Sequence, residues 1–172
     1  MFTNPIKNLK ALGVRDTDII ADLGAGTGFY TIALSPMVPF GKVYAIELHE
    51  DFMKTIQNKA KEHHFKNVQC FLGDVERPGG TKLASGVLDK AIVSNLLHQI
   101  EDRSKFMAEL KRILKPEGRV LLVDYSGESP AFSAKHAITE ADARRIFEDA
   151  GFRWERGIDA GAHHYGMIFI RP

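Results

Sequence analysis

The sequence predicts an α/β fold, a mostly parallel sheet with helices on both faces. Three observations predict it. Apolar runs of strand length alternate with segments of helical periodicity along the chain. A glycine-rich turn, Gly24-Ala25-Gly26-Thr27-Gly28, follows the first of these runs, at the position where open α/β sheets meet their ligands. The last two strand-like segments have no helix between them, so one of them should run antiparallel to the rest.

The elements follow in order. Asn4 can cap a short helix with Pro5 at its first position, and Gly13 can end it. Asp18–Gly24 reads as a buried strand. The helix opened by Phe29 is interrupted at Pro36. Lys42–Glu47 is the second strand. A helix from about Glu50 places Phe52, Met53, Ile56 and Ala60 on one face. Val68–Asp74 is the third strand, and Pro78-Gly79-Gly80 marks a loop. Val87–Asn95 is the fourth strand. From Asp102 to about Leu114, Phe106, Met107, Leu110, Ile113 and Leu114 fall at helical spacing. Lys115-Pro116-Glu117-Gly118 stops that helix, and Arg119–Asp124 is the fifth strand. Thr139 and Asp142 suit a capping box for a last helix that Gly151 ends. Phe152–Arg156 and Gly166–Ile170 supply the final pair of strands.

Bulk properties narrow the function. With 172 residues and no repeat or linker, the chain reads as one domain, residues 1–172. A net charge of +1 gives no whole-molecule field toward nucleic acid or an anionic membrane. Cys70 is the only cysteine, so a disulfide within the chain and a cysteine metal cluster are excluded. No metal site is expected. No apolar run reaches the roughly 20 residues of a membrane span, and the first residues lack the apolar core of a signal peptide. A cytoplasmic location is the expectation.

Polar residues end the strands in register: Asp22, Glu47, Asp74, Asn95 and Asp124. Glu47 lies about 20 residues past the glycines, where a ribose-binding acid belongs. Asp74 is placed to accept from an adenine amino group, with Val75 packing nearby. The glycine spacing is G-x-G-x-G rather than the G-x-G-x-x-G of dinucleotide folds. A pyrophosphate on this turn would also meet Asp22. S-adenosylmethionine, which has adenosine, a cationic sulfonium and no phosphate, fits these residues better, with Asp22 toward its methionine end.

The ordered motifs ADLGAGTG, YAIE, LGDVE and VLDKAIVSNLLHQIEDRSKFMAELKRILKPEGRVLLVDYS resemble those of class I S-adenosylmethionine-dependent methyltransferases. The nearest flavour is the ubiquinone/menaquinone-biosynthesis-like (type 11) group. The resemblance runs from about Asp18 to Ile170. It implies a three-layer, Rossmann-like, seven-stranded sheet with a reversed last strand. It also implies that Asp22, Gly24, Ala25, Gly26, Thr27 and Gly28 surround the methionine part. Glu47 takes the ribose, Leu48 lies beside the adenine, Asp74 and Val75 take the adenine edge, and Asn95 lines the methionine side. Members of the group mostly methylate small molecules. Here the helix before the first strand is short, and so is the Tyr125–Ile138 segment where a lid would lie. A partner subunit in a homo-oligomer, or a large acceptor such as protein or RNA, therefore stays open as a way to close the pocket. No basic-aromatic stripe speaks for RNA.

Methyl transfer depends mainly on alignment and desolvation, with a base needed only for an acceptor that loses a proton early. His98, three residues past Asn95, is the candidate for that base, against a packing role in its turn. Tyr125, His163, His164 and Tyr165 are candidates for the acceptor side. Competing functions are a non-catalytic cofactor-binding scaffold on the same fold and a nicotinamide-dependent oxidoreductase, which the glycine spacing and Asp22 disfavour.

Overall fold

A computed structural model describes residues 3–126 and 137–172. The lid position between Tyr125 and Ile138 falls largely outside the described residues. Among those described, the elements are α1 (Pro5–Leu12), β1 (Ile19–Leu23), α2 (Phe29–Leu34), β2 (Lys42–Glu47), α3 (Glu50–Glu62), β3 (Val68–Leu72), β4 (Leu88–Ser94), α4 (Arg103–Ile113), β5 (Leu114–Tyr125), α5 (Glu140–Asp149), β6 (Arg153–Ile158) and β7 (His164–Ile170).

Local signals act as expected at the helix ends. The Asn4 side chain accepts the Lys7 N–H, and Gly13 closes α1 at φ 73°. Pro36 has no N–H to extend α2, which ends at Leu34 and passes into a 3-10 turn over Ser35–Met37. The Thr139 side chain accepts the Asp142 N–H, and its hydroxyl donates to the Asp142 carboxylate. No described helix is long and apolar enough to cross a membrane.

The strands form a seven-stranded sheet in the order β3-β2-β1-β4-β5-β7-β6. Pairings from β3 through β5 are parallel, and β7 runs antiparallel to both β5 and β6. The expected reversed strand is therefore β7, the last strand among the described residues, and it sits inside the sheet rather than at its edge. Several boundaries move: β3 ends at Leu72 rather than Asp74, β6 runs on to Ile158, and the starts of β5 and β7 shift. β5 begins at Leu114, which pairs with Leu88 ahead of a register shift, so the Lys115–Gly118 turn is built into the strand. β7 begins at His164, so His164 and Tyr165 lie in the strand, where sequence reasoning had them before it.

Strand side chains alternate between two apolar layers. Ala21, Leu23, Ala91, Val93, Val120 and Leu122 pack with Phe106 and Leu110 of α4 and Phe147 of α5. Phe147 stacks on Phe169 of β7 at 4.2 Å and 12°. On the opposite face, Ile20, Ile92, Leu121 and Val123 pack with Leu9 and Leu12 of α1 and Leu34 of α2. Ala45 and Ile56 continue that face under α3 with Ala25. Burying strands on both faces leaves their C-terminal ends as the place where polar groups can gather. The order reverses between β1 and β4, so a crevice opens there.

Candidate functional site

The glycine turn leaves β1 at this switch point. Gly24 holds φ 64°, and a Cβ on it would lie 2.7 Å from Leu96 Cδ1. A side chain there would be strained by the left-handed backbone and would force Leu96 to shift. Gly26, at φ 54°, instead faces open space. Gly28 caps α2 at φ 86° and backs onto Ile56.

Two adjoining cavities of about 250 and 270 Å³ meet at Gly24, Gly26 and Gln99. The first is bounded by Glu47, Leu48, Asp74 and Val75. The second is bounded by Asp22, Ala25, Thr27 and Asn95. Ten of the eleven residues expected around the cofactor thus line one cavity or the other. Gly28 does not line either, and shapes the turn from behind. Glu76, Gln99, Ser94 and Tyr30 join the lining unforeseen.

Glu47 is buried, and its carboxylate is already bonded to backbone. Oε2 accepts the Gly26 N–H at 2.8 Å, and Oε1 accepts the Leu48 and His49 N–H groups, each at 2.9 Å. A ribose would meet a fixed carboxylate with one lone pair, on Oε2, still to spare. Asp74 Oδ1 accepts the Glu76 N–H at 2.9 Å, and Oδ2 pairs with Arg77 at 3.0 Å. Its turn-forming role is thus realised, while the carboxylate still borders the cavity.

Asp22 is 2% exposed, and its Oδ2 accepts both the Thr31 N–H at 3.0 Å and the Thr31 hydroxyl at 2.7 Å. Burial pushes its carboxyl up to about 6 against the lowering effect of those Thr31 bonds, and the Glu47 charge adds to the rise. The Tyr30 phenol, bonded by Asn8 Nδ2 at 2.8 Å, is pushed up to about 12 by burial. Asn95 sits at φ 50°, and its Oδ1 is buried with no hydrogen-bond partner. Asn95 as a residue also borders the second cavity.

Among the described lining residues of both cavities are four carboxylates, Asp22, Glu47, Asp74 and Glu76, and no Lys or Arg. Phosphate recognition relies on cationic or clustered N–H donors. This lining instead accepts hydrogen bonds and favours positive charge. It fits S-adenosylmethionine, with its ribose hydroxyls, adenine amine, ammonium and sulfonium.

His98 lies beside this cleft on the 3-10 turn Leu97–Gln99. Its Nδ1 is 2.6 Å from Asp124 Oδ1. The Tyr125 ring meets the His98 ring edge-on at 5.7 Å, and the His164 ring lies 4.6 Å from Tyr125. Burial lowers the His164 pKa and raises that of Tyr165, whose hydroxyl is buried without a partner. His163 is exposed in the turn just before β7. The acceptor-side candidates, His163 apart, thus gather at the ends of β5 and β7. The Asp124–His98 pairing was not foreseen, although Asp124 had stood out as a strand-end acid.

The comparisons agree with this geometry. Residues 21–122 match the family model described as "Methyltransferase domain". The chain is 31% identical over 121 residues to a demethylmenaquinone methyltransferase of Lactococcus lactis, covering 70% of this chain and 47% of that protein. A demethylmenaquinone methyltransferase of Staphylococcus aureus is 31% identical over 133 residues, covering 76% of this chain and 53% of its own length. The chain therefore spans about half the length of these curated relatives. Among solved structures, a SAM-dependent methyltransferase from Aquifex aeolicus superposes with a TM-score of 0.92 at 28% identity, over 99% of this chain and 91% of the other. Fold, cleft and relatives converge: the chain belongs to the class I S-adenosylmethionine-dependent methyltransferase family, in its ubiquinone/menaquinone-biosynthesis-like group.

Proposed function

We propose that this chain transfers a methyl group from S-adenosylmethionine to a small-molecule acceptor. The observation that carries this reading is the carboxylate-lined double cavity, with no Lys or Arg among its described lining residues. Glu47 would accept from the ribose hydroxyls and Asp74 from the adenine amine, with Leu48 and Val75 against the ring. Asp22 and Asn95 would face the methionine end, and Gly24 to Thr27 would let the backbone approach it. When bound, the cofactor supplies an activated methyl carbon on a positively charged sulfur.

The chain's own contribution is mainly positioning. The buried Asp22 and Tyr30 give one wall fixed side chains, and the glycine turn shapes the other. His98 is the group that would take a proton from an acceptor that must lose one. The relatives' name supports an aromatic, quinone-type acceptor as the first to test. Calorimetry is the primary measurement. Micromolar binding of S-adenosylmethionine and its demethylated product, with none of NAD, is expected. Folded protein that binds NAD and neither sulfonium ligand nor product overturns the reading. Methyl transfer is then assayed with reduced demethylmenaquinone and simple phenols.

A further inference from the structure

The two cavities share Gly24, Gly26 and Gln99 among their described lining residues. In S-adenosylmethionine the sulfur joins the adenosine to the methionine chain. With adenosine in the first cavity and methionine in the second, the sulfonium belongs at this neck. The two glycines offer only backbone there, so the side chain at the neck is that of Gln99. Each of the four carboxylates borders one cavity and not the other: Glu47, Asp74 and Glu76 the first, Asp22 the second. Negative charge thus lies to either side, and a neutral amide stands between.

The orientation of that amide follows from its partner. Gln99 Nε2 donates to the Asn95 carbonyl oxygen at 2.7 Å. A carbonyl oxygen only accepts, so the NH2 half must face it. The carbonyl half, Oε1, makes no hydrogen bond among the described residues, and the residue is exposed. The backbone is held as well. The Gln99 N–H donates to the Leu96 carbonyl at 2.9 Å, and the Asn95 N–H donates to the Val123 carbonyl of β5 at 2.8 Å. A side chain fixed this way loses little freedom when a ligand arrives.

We propose that Gln99 reads the sulfonium: its Oε1 would lie against the positive sulfur and so tell the methyl donor from the demethylated product, whose sulfur is neutral. The proposal rests on the methyl-transfer reading above, which supplies the ligand but not the residue. A fixed oxygen dipole attracts a positive sulfur in a cleft partly screened from water and gains little beside a neutral thioether. The carboxylates cannot draw that distinction as sharply, because the ribose and ammonium they serve are the same in donor and product. A site with this preference exchanges spent product for fresh donor more readily.

Calorimetry with S-adenosylmethionine and S-adenosylhomocysteine tests this without any acceptor. The measurements are made at pH 7.5, above the Asp22 value of about 6. Gln99→Met keeps the side-chain length and removes the oxygen. It should weaken S-adenosylmethionine about fivefold and S-adenosylhomocysteine less than about twofold. Gln99→Glu replaces the dipole by a full charge and should move the ratio of the two affinities the other way, toward S-adenosylmethionine, by about threefold or more. A residue that only shapes the turn would weaken both ligands alike. Equal weakening by a folded Gln99→Met protein, or an unchanged ratio in both variants, therefore overturns the proposal. If Gln99→Met does not fold, the ratio in Gln99→Glu decides alone. Folded wild-type protein that binds neither ligand removes the methyl-transfer reading and this proposal with it, an outcome distinct from normal binding with an unchanged ratio.

Discussion

Glu47 Oε2 accepts the Gly26 amide proton at 2.8 Å, so the acid ending β2 is tied to the middle of the glycine turn that follows β1. The expected ribose ligand and the turn are one structural unit. Glu47→Ala would leave the N–H groups of Gly26, Leu48 and His49 without their acceptor. We expect about 1–3 kcal/mol of lost stability and at least about tenfold weaker S-adenosylmethionine binding, equivalent to roughly 1.4 kcal/mol. Thermal unfolding and calorimetry on the same protein measure both.

Gly24→Ala meets two obstacles, the left-handed backbone at φ 64° and Leu96 Cδ1 at 2.7 Å. The backbone alone costs roughly 1–2 kcal/mol. Adding Leu96→Ala frees the space but not the dihedral. The double variant should therefore recover part of the melting temperature lost by Gly24→Ala, and full recovery would show that the backbone term is negligible.

Asp22 gives a pH signature of known sign. Its folded pKa, about 6, stands above the ordinary 3.8 because burial penalises the charge. Between those values the folded state binds the extra proton, so this group's contribution is fully present below about 3.8 and declines as pH rises through 6. In Asp22→Asn that decline should vanish. Stability measured by urea unfolding from pH 4 to 7, wild type minus variant, should slope downward with pH; a flat difference contradicts the assignment.

Glu109 behaves in the opposite sense. Burial alone would raise its pKa, but Arg112, the Thr81 hydroxyl and the Gly79 and Thr81 N–H groups outweigh burial and hold it down to about 2. Its stabilisation is present above the usual 4.5 and is lost as pH falls toward 2. Glu109→Gln should cost about 2 kcal/mol at pH 7 and little near pH 2. Denaturant midpoints at the two pH values make the comparison.

How much of this was legible beforehand follows from the range of each interaction. Caps at Asn4 and Thr139 and the stop at Pro36 act within one turn, and the residues that cause them are adjacent in sequence. The strand-end acids were legible because periodicity locates the ends of strands, and the switch point then gathers those ends. Partners that meet across the fold were not legible. Thr31 reaches Asp22 only after the turn has folded back, and Asp124 meets His98 only because β4 and β5 lie side by side. The β5 start at Leu114 was missed because Pro116 and Gly118 look like a break locally. Pairing with Leu88 and the Arg171–Gly118 bond supplies the strand from outside the segment.

The placement of β7 between β5 and β6 has a consequence for the order of assembly. During synthesis, the residues of β6 emerge before those of β7, yet among the described residues β6 pairs only with β7. Until residues 164–170 appear, β5 presents a raw, apolar border and the earlier strand has nothing to dock on. The sheet therefore stays unfinished until β7 has emerged, a window in which β5 is open to pairing with another molecule.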